Sequence, residues 1–500
     1  MIPPKQPVIE PNPIEERAVR LEKLHAAAAM GIDAYPARCE RSHTVTQLLH
    51  AFESLATGGT EVTVVGRLKA VRGHGGACFA DLEDGTGKIQ LHLKSDVLGA
   101  NSFETFEKLV DRGDFLQVSG TAFVTKRGEN SIEVKRWTML AKTLAPLPDK
   151  WSGLADVEIR YRKRYLDLIS NPEVRGIFRK RSLIVHEIRS FMHEEGFMEA
   201  ETPVLQTIAG GASARPFTTH HNALDIDLYL RIATELHLKR LIVGGFEKVF
   251  ELGRCFRNEG IDHSHNPEFT SIEFYQAYAD YNDVMALTEK MLARVAEKAN
   301  GSTAVEFDGM KLDFSGAYPR ITFRDAVLAY AKIDIEAYPD RKSLAEAAAG
   351  KGVKIEPADD RAVILDNLYK KHVRSKIVDP TFIIDHPTEI LPLAKRKPGA
   401  PGYVESFQLV LGAGIELAKA FTELNDPLDQ RARFEEQERM RAAGDEEAQP
   451  MDHDFIEALE SGMPPTGGFG MGIERLCMVL TGSHSIKEVI LFPTQRPERE

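Results

Sequence analysis

Cysteine is scarce in this chain. Only Cys39, Cys78, Cys255 and Cys477 occur in 500 residues, with no CxxC pair among them. That spacing argues against a disulfide framework or a thiolate zinc site, and a reducing cytoplasmic setting is expected. No apolar run approaches the ~18 residues needed to span a bilayer. The opening MIPPKQPVIEPNPIEERAVR lacks the basic-then-apolar order of a signal peptide, and its prolines predict a mobile leader. A GxxxxGK[ST] phosphate loop is missing too. The nearest stretch, DGTGKIQ, lacks the first glycine spacing and the Ser/Thr. Gly468, Gly470 and Gly472 have the wrong spacing for a dinucleotide fingerprint. Any nucleotide chemistry must therefore use side chains. Positive charge is also in deficit. A net charge of −12 excludes a broadly basic coat but leaves room for a local basic surface. The run Arg160-Tyr161-Arg162-Lys163-Arg164-Tyr165 reads either as a solvated helix face or as a phosphate-contacting surface with interleaved aromatics.

The chain is too long for one ordinary core, so two or three domains are expected. Its 43% hydrophobic and 28% charged residues fit a soluble globular protein. Residues 14 to 57 read as helices, and the pattern shifts at Glu61. VTVVGRL, ACFADLED, KIQLHLK, FLQVSGTAFVT and NSIEVKRWTML then alternate as short strands, separated by turn signals such as Asp84-Gly85 and Arg127-Gly128. Five such strands predict a small closed barrel. The Pro-rich LAPLPDKWSG marks a boundary. Three regions follow: residues 1–58 as leader and helices, 59–145 as barrel, and 150–500 as a second domain.

The second domain opens with a long helix near 173 to 195, stopped by Gly196. GFMEAETP, DLYLRIATE, KVFELGRCF, FTSIEFYQAY and ESFQLVLGAGIELAKAFTEL read as antiparallel strands. Helices interrupt them near 283–299, 324–331, 341–373 and 428–443. The order is not βαβα, so the class is α+β rather than a doubly wound parallel sheet.

Charged groups crowd one stretch, FRNEGIDHSHNPEFT. Counting by two along the flanking runs puts Glu251, Gly253, Cys255 and Arg257 on one face, and Ser271, Glu273 and Tyr275 on another. The stretch is therefore a hairpin with a long loop. A guanidinium at a strand end can hold a phosphate by paired hydrogen bonds, with His265 as a further donor and Phe269 as a stacking surface. A metal site on His263, His265 and Asp262 or Glu259 is an alternative, as is a purely structural hairpin. In GIELAKAFTELNDP, Lys419, Phe421 and Glu423 share a strand face, with Glu416 on the opposite parity unless a bulge intervenes. In PPTGGFGMGIERLCMVL a glycine-rich approach leads into a helix with Arg475 in its first turn.

Together these segments resemble the motifs of class II aminoacyl-tRNA synthetases. GFMEAETPVL looks like motif 1, FRNEG…HNPEFT like motif 2 and GFGMGIERL like motif 3. GGASARPF, RIATELHLKRL, HNPEFTSIEFYQAYADY and FTELNDP are similar to the lysyl-tRNA synthetase family, bacterial type. The resemblance implies an N-terminal OB-fold that binds the anticodon. After it would come a class II catalytic domain with a central antiparallel sheet flanked by helices. It implies activation of L-lysine by ATP, with Mg2+, and transfer to tRNA-Lys. It also implies a homodimer through motif 1 and no membrane association.

By motif position Arg257 would bind the α-phosphate and Glu259 the adenine amino group. His265 would reach the outer phosphates. Phe269 would stack on adenine, with Arg475 on the other face or near the γ-phosphate, and Gly472 would approach the nucleotide. Arg257 and Arg475 would be the catalytic pair, stabilising charge rather than attacking. Glu273, Tyr275 and Glu423 would receive the ε-ammonium of lysine. Glu235 and the Gly211 backbone would hold its α-amino group, with Arg257, Lys419, Phe421 and Gly470 completing the lysine site. On the barrel, Phe79, Gln90 and Glu129 match the anticodon-reading positions, with Arg72 in support; Phe79 taken alone also fits barrel core.

Three departures from the family pattern stand out. Lys419 replaces a usual Asn, ~13 Å along the strand from Glu423, and pairs either with the substrate carboxylate or with a phosphate. Of two Mg2+-binding Glu positions, Glu416 matches one. The other carries Gln408, a neutral amide with weaker affinity for Mg2+, and Lys419 can supply part of the missing positive charge. In motif 2, Ser264 replaces an often basic residue. Two other readings remain in view: a sister aspartyl or asparaginyl synthetase, and a catalytically idle RNA-binding relative.

Overall fold

The computed structural model describes residues 13–148, 154–212, 214–442 and 450–498. The expected leader over residues 1–12 and the end of the Pro-rich linker lie outside them. The chain divides into two compact units, Met1–Leu154 and Ala155–Glu500.

In the first unit, α1 (Pro13–Ala29), α2 (Val45–His50) and α3 (Phe52–Gly58) precede the barrel. The helical run expected over 14 to 57 is thus three pieces. Thr44 accounts for the second start: its hydroxyl accepts from the Gln47 amide, and Gln47 returns a bond to the Thr44 amide, a capping box. The strands β1 (Glu61–His74), β2 (Ala77–Glu83), β3 (Lys88–Lys94), β4 (Phe115–Val124) and β5 (Asn130–Ala141) close in the order β1-β2-β3-β5-β4. Alternation puts Val62, Val64, Ala80, Leu82, Ile89, Leu91, Leu93, Leu116, Val118, Ile132 and Val134 inside. Between β3 and β4 an unforeseen helix, Ala100–Leu109, adds Phe103, Phe106 and Leu109 to that core.

The second unit is built on an eight-stranded sheet. Its strands are β6 (Met198–Glu199), β7 (Lys248–Phe256), β8 (Glu268–Ala277), β9 (Arg320–Thr322), β10 (Thr381–Ile384), β11 (Ser406–Leu411), β12 (Ile415–Thr422) and β13 (Thr466–Gly472). Their spatial order is β9-β10-β11-β12-β13-β8-β7-β6. The centre is antiparallel, as expected, but β6 runs parallel to β7 and β9 parallel to β10. The sheet is therefore mixed. Its parallel edge strands are joined to their neighbours through long crossovers rather than hairpins.

One face of this sheet is apolar. Phe250, Ile272, Phe274, Leu409, Ala418, Phe469 and Met471 pack under α4 (Pro172–Glu194), α6 (Tyr281–Asn300) and α7 (Ile473–Thr481). Pro172 starts α4 where a missing N–H costs nothing. The other face is polar, and α5 (Glu235–Val243) lies against it through Leu236, Leu238 and Ile242.

Several expectations are corrected. GFMEAETP gives only the two-residue β6. DLYLRIATE is not a strand of the main sheet. Ile226–Leu230 belongs to a separate three-stranded sheet with Leu205–Gln206 and Thr218–His221, and the chain then enters α5. The 341–373 helix is two, Arg341–Ala349 and Arg361–His372, because Gly350, Gly352 at φ 75° and Pro357 interrupt it. The basic run at 160–165 is anchored through two of its arginines. Arg160 and Arg164 bind the Asp167 carboxylate at 2.7 and 2.6 Å, and Arg164, 1% exposed, donates to the Lys487 and Leu491 carbonyls at 2.7 and 3.0 Å. It fastens the C-terminal segment.

Gly120 sits at a register shift between β4 and β5, where a Cβ would enter the Glu133 carbonyl. Backbone cannot step aside as a flexible side chain can. Gly120→Ala is expected to destabilise the barrel by about 1–3 kcal/mol, seen as an earlier urea transition followed by Trp137 fluorescence.

Candidate functional site

A cavity of about 370 Å³ opens on the polar face of the main sheet. Its floor is β13. Gly468, Gly470 and Gly472 point into the cavity, while Phe469 and Met471 point into the core. Flanking strands supply the walls. On one side Ser271, Glu273 and Tyr275 stand opposite Gly472, Gly470 and Gly468; on the other Lys419 and Phe421 stand opposite Gly470 and Gly468. A Cβ on Gly468 would fall into the Glu423 carboxylate and within 2.6 Å of the Tyr275 ring. Glycine here is a matter of space.

Gly211, Glu235, Arg257, Glu259, His265, Phe269, Glu273, Tyr275, Glu416, Lys419, Phe421, Glu423, Gly470, Gly472 and Arg475 all line this one cavity. Gln408 does not. The parity question at Glu416 is answered by a bulge. Leu409 pairs with Ala418 and Val410 with Glu416, so Leu417 is the extra residue and Glu416 joins the face of Lys419.

The cavity has two electrostatic ends. At one, the Arg257 guanidinium lies 5.1 Å from the Phe269 ring centroid. Arg475 donates to the Glu416 carbonyl at 2.7 Å, and the Glu416 carboxylate sits 3.2 Å from Lys419 and 3.6 Å from Arg374. Burial alone would raise the Glu416 carboxyl. Lys419, Arg475 and Arg374 outweigh it and hold the carboxyl down at about 2. Asp262 orders the tip of the β7–β8 loop. It accepts from the Ser264 and His265 amides at 2.6 and 2.8 Å, and its other oxygen meets His265 Nδ1 at 2.8 Å. The loop-tip aspartate therefore has a task, orienting His265, that residue patterning did not reveal. His263 does not line the cavity; its carbonyl accepts from the Ile486 amide at 2.8 Å. No cluster of three or more His, Cys, Asp or Glu able to hold a metal occurs among the described residues.

The other end is acidic and buried. Glu235, Glu273, Glu423 and Tyr275 all line it, and Glu235 and Glu423 share one ammonium, that of Lys239. Lys239 donates to Glu235 at 2.6 Å and ion-pairs with Glu423, and the Tyr275, Phe421 and Phe455 rings surround it at 5.9, 5.6 and 5.8 Å. Neither Glu423 oxygen accepts a well-oriented hydrogen bond, although the residue is 1% exposed. Burial, then the charge of Glu235, pushes Glu273 up to about 7. Burial also raises Glu423 well above the carboxylate range despite the Lys239 ammonium. Lys239 was missed in the sequence, yet its signal is there: Glu235 and Lys239 are four apart on one helix face.

In the barrel unit, Arg72, Phe79 and His92 stand in one cross-strand row. Phe79 is half-buried and stacks on His92, with centroids 4.3 Å apart and planes within 2°. It lies on the outer face, not in the core. Gln90 donates to Glu129 at 2.6 Å and accepts from Ser131 at 2.9 Å, while Arg72 reaches Asp81 at 3.2 Å. His92 is the residue sequence reasoning passed over; the alternation of KIQLHLK places it beside Gln90 on the outer face.

Comparison with known proteins agrees with this geometry. The family model for tRNA synthetases class II (D, K and N) matches residues 156–496, and that for OB-fold nucleic acid binding domains matches residues 62–140. The lysine–tRNA ligase of Moorella thermoacetica is 54% identical over 483 residues, covering 97% of this chain and 98% of that one. That of Thermosynechococcus vestitus is 51% identical over 492 residues, with 97% of each chain covered. That of Chloroflexus aurantiacus is 51% identical over 482 residues, covering 96% and 97%.

The buried Lys239 generates a stability prediction. Lys239→Met would strand Glu235 and Glu423 without their counter-charge, at an expected cost of about 3–5 kcal/mol near neutral pH. Protonation removes a stranded carboxylate charge more readily in the folded chain than in the unfolded one, where the pKa is ordinary. The deficit should therefore shrink as pH falls. Urea denaturation at neutral and mildly acidic pH checks both parts; a pH-independent deficit would count against the charge argument.

Proposed function

The chain belongs to the class II tRNA synthetases of the D, K and N group, and from that premise we propose that it is a lysine–tRNA ligase. It activates L-lysine with ATP, forming lysyl-adenylate and pyrophosphate, and passes the lysyl group to the terminal adenosine of tRNA-Lys. The observation that carries the reading is the cavity itself. Guanidinium and ammonium groups gather at one end, and three buried carboxylates with a tyrosine at the other. A triphosphate suits the first end and a side-chain ammonium the second. An acidic amino acid would meet carboxylates, and a neutral one would leave them unpaired.

Each residue has a separate task in this reading. Arg257 neutralises the α-phosphate as the lysine carboxylate attacks and pyrophosphate leaves, and Arg475 stabilises the same developing charge. Glu259 accepts from the adenine amino group. Phe269 stacks under the base, already within cation–π distance of Arg257. His265, held by Asp262, donates to the outer phosphates. Glu273, Tyr275 and Glu423 take the ε-ammonium, with Phe421 along the aliphatic stem. Glu235 and the Gly211 backbone take the α-amino group, while Gly470 and Gly472 let substrate lie close to the floor. No side chain acts as nucleophile; the chain supplies position and charge. Mg2+ enters with ATP and supplies phosphate charge neutralisation when bound.

On the barrel, Phe79 offers a stacking face for an anticodon base, Gln90 and Glu129 offer hydrogen bonds to base edges, and Arg72 supports them. Motif 1 around β6 is the proposed dimer contact. No helix among the described residues is long and apolar enough to cross a membrane, and the proposed setting is the cytoplasm.

Lysine-dependent ATP–pyrophosphate exchange tests the assignment. Exchange driven by aspartate or asparagine, or no exchange with any amino acid, would overturn it. The acidic pocket adds a pH signature. Glu273 begins at about 7 in the empty site, and an incoming ammonium favours its ionised form. Lysine binding should therefore release a proton below that value. Affinity should rise from about pH 6 to about pH 8, by up to about tenfold per unit on the acid side, then level off. Calorimetry in buffers of different ionisation heat reads the proton, and Glu273→Gln should reduce its release, leaving the share that comes from Glu423.

A further inference from the structure

We propose that the Lys419 ammonium occupies the place of a protein-held divalent cation at the phosphate end, so that the nucleoside triphosphate binds with only the metal it carries itself. The inference rests on the nucleotide reading above and specifies how that nucleotide is held.

The donor set comes first. A hard divalent ion such as Mg2+ asks for oxygen ligands, carboxylates above all. Only one carboxylate, Glu416, faces this end from the β11–β12 hairpin, and both its oxygens are engaged: Oε1 by Lys419 at 3.2 Å and Oε2 by Arg374 at 3.6 Å. The second position is Gln408, an amide 4% exposed that does not line the cavity. Its side chain is engaged with the buried His386 rather than with the cavity. These residues do not fit a protein-held divalent ion.

Charge points the same way. Lys419, Arg374 and Arg475 all act on Glu416, and Arg257 adds its charge around Arg475. A dication at Glu416 would meet a carboxylate that three cations already neutralise. A triphosphate, with several negative charges, would meet the cations instead.

The two substitutions are also partners. Gln408 and Lys419 stand opposite each other across the β11–β12 ladder. A carboxylate at 408 would form a cross-strand ion pair with Lys419 and quench it. The amide cannot, and the ammonium, 48% exposed, stays available to phosphate oxygens. A lysine is a compact point charge with rotatable donors, well suited to that contact. The bulge at Leu417 completes the arrangement by bringing Glu416 to the same face, where it anchors Lys419 rather than a metal.

Mn2+ serves as the probe. The full-length protein is saturated with a non-hydrolysable ATP analogue, and bound Mn2+ is counted by electron paramagnetic resonance of the free ion. The wild type is expected to hold a single Mn2+ per bound nucleotide, and the Q408E/K419N variant to hold more. K419N alone should weaken analogue binding by about tenfold or more, and K419R should restore most of it, which a folding defect would not allow. A wild-type count above one per nucleotide overturns the proposal without recourse to any variant. So does a K419N defect confined to lysine affinity, which would place the ammonium on the substrate carboxylate. A chain that binds no nucleotide at any Mn2+ concentration overturns the nucleotide reading itself, and the proposal with it.

Discussion

The catalytic unit depends on a strand that is bare on one side. β13 must be fully bonded within the sheet, since it lies between β12 and β8, yet it must add no volume above the plane. Glycine at every second position meets both demands, while Phe469 and Met471 hold the strand to the helices below. The neighbouring strands can then be densely functional. Their side chains lean over an empty trough instead of packing against a third row. The ordinary weakness of glycine in a strand is offset by burial of the alternate residues.

Separation of charge follows from the same layout. The trough runs along β13, so residues opposite Gly468 and residues beyond Gly472 face different ends of one cavity. Acids collect at one end around Lys239, and bases collect at the other around Glu416. Each cluster contains one counter-charge of its own. Lys239 neutralises Glu235 and Glu423, and Glu416 does the same for the cations. A cavity with two strongly charged ends can thus fold before any ligand is present, because neither end is left without a partner.

Much of this was legible in the chain, for physical reasons. Strand alternation placed Glu273 with Tyr275 and Lys419 with Phe421, and the five barrel strands closed as expected. The α5 helix was hidden because DLYL alternates and the eye carries the strand onward past Thr234. The parallel edges of the sheet depend on long-range pairing that no local pattern encodes. Lys239 and Arg374 were missed since each acts from a different element on a residue far along the chain. The arginines at 160 and 164 were misjudged because a basic run suggests solvent or phosphate. Here a single buried aspartate, Asp167, binds them both.

The bulge at Leu417 carries a consequence for how such chains diverge. Side chains beyond it, from Ala418 onward, keep their faces whatever happens in the Gly412-Ala413-Gly414 turn. Glu416 does not. Were the bulge lost to a deletion in the turn, plain alternation would put the residue two before Ala418 on the core face of Ala418 instead of the cavity face. Chain length in this hairpin is therefore as informative as residue identity. Two relatives with the same acid in the same short run can differ in whether it sees the cavity, and an alignment that slides a gap by one position would hide the difference.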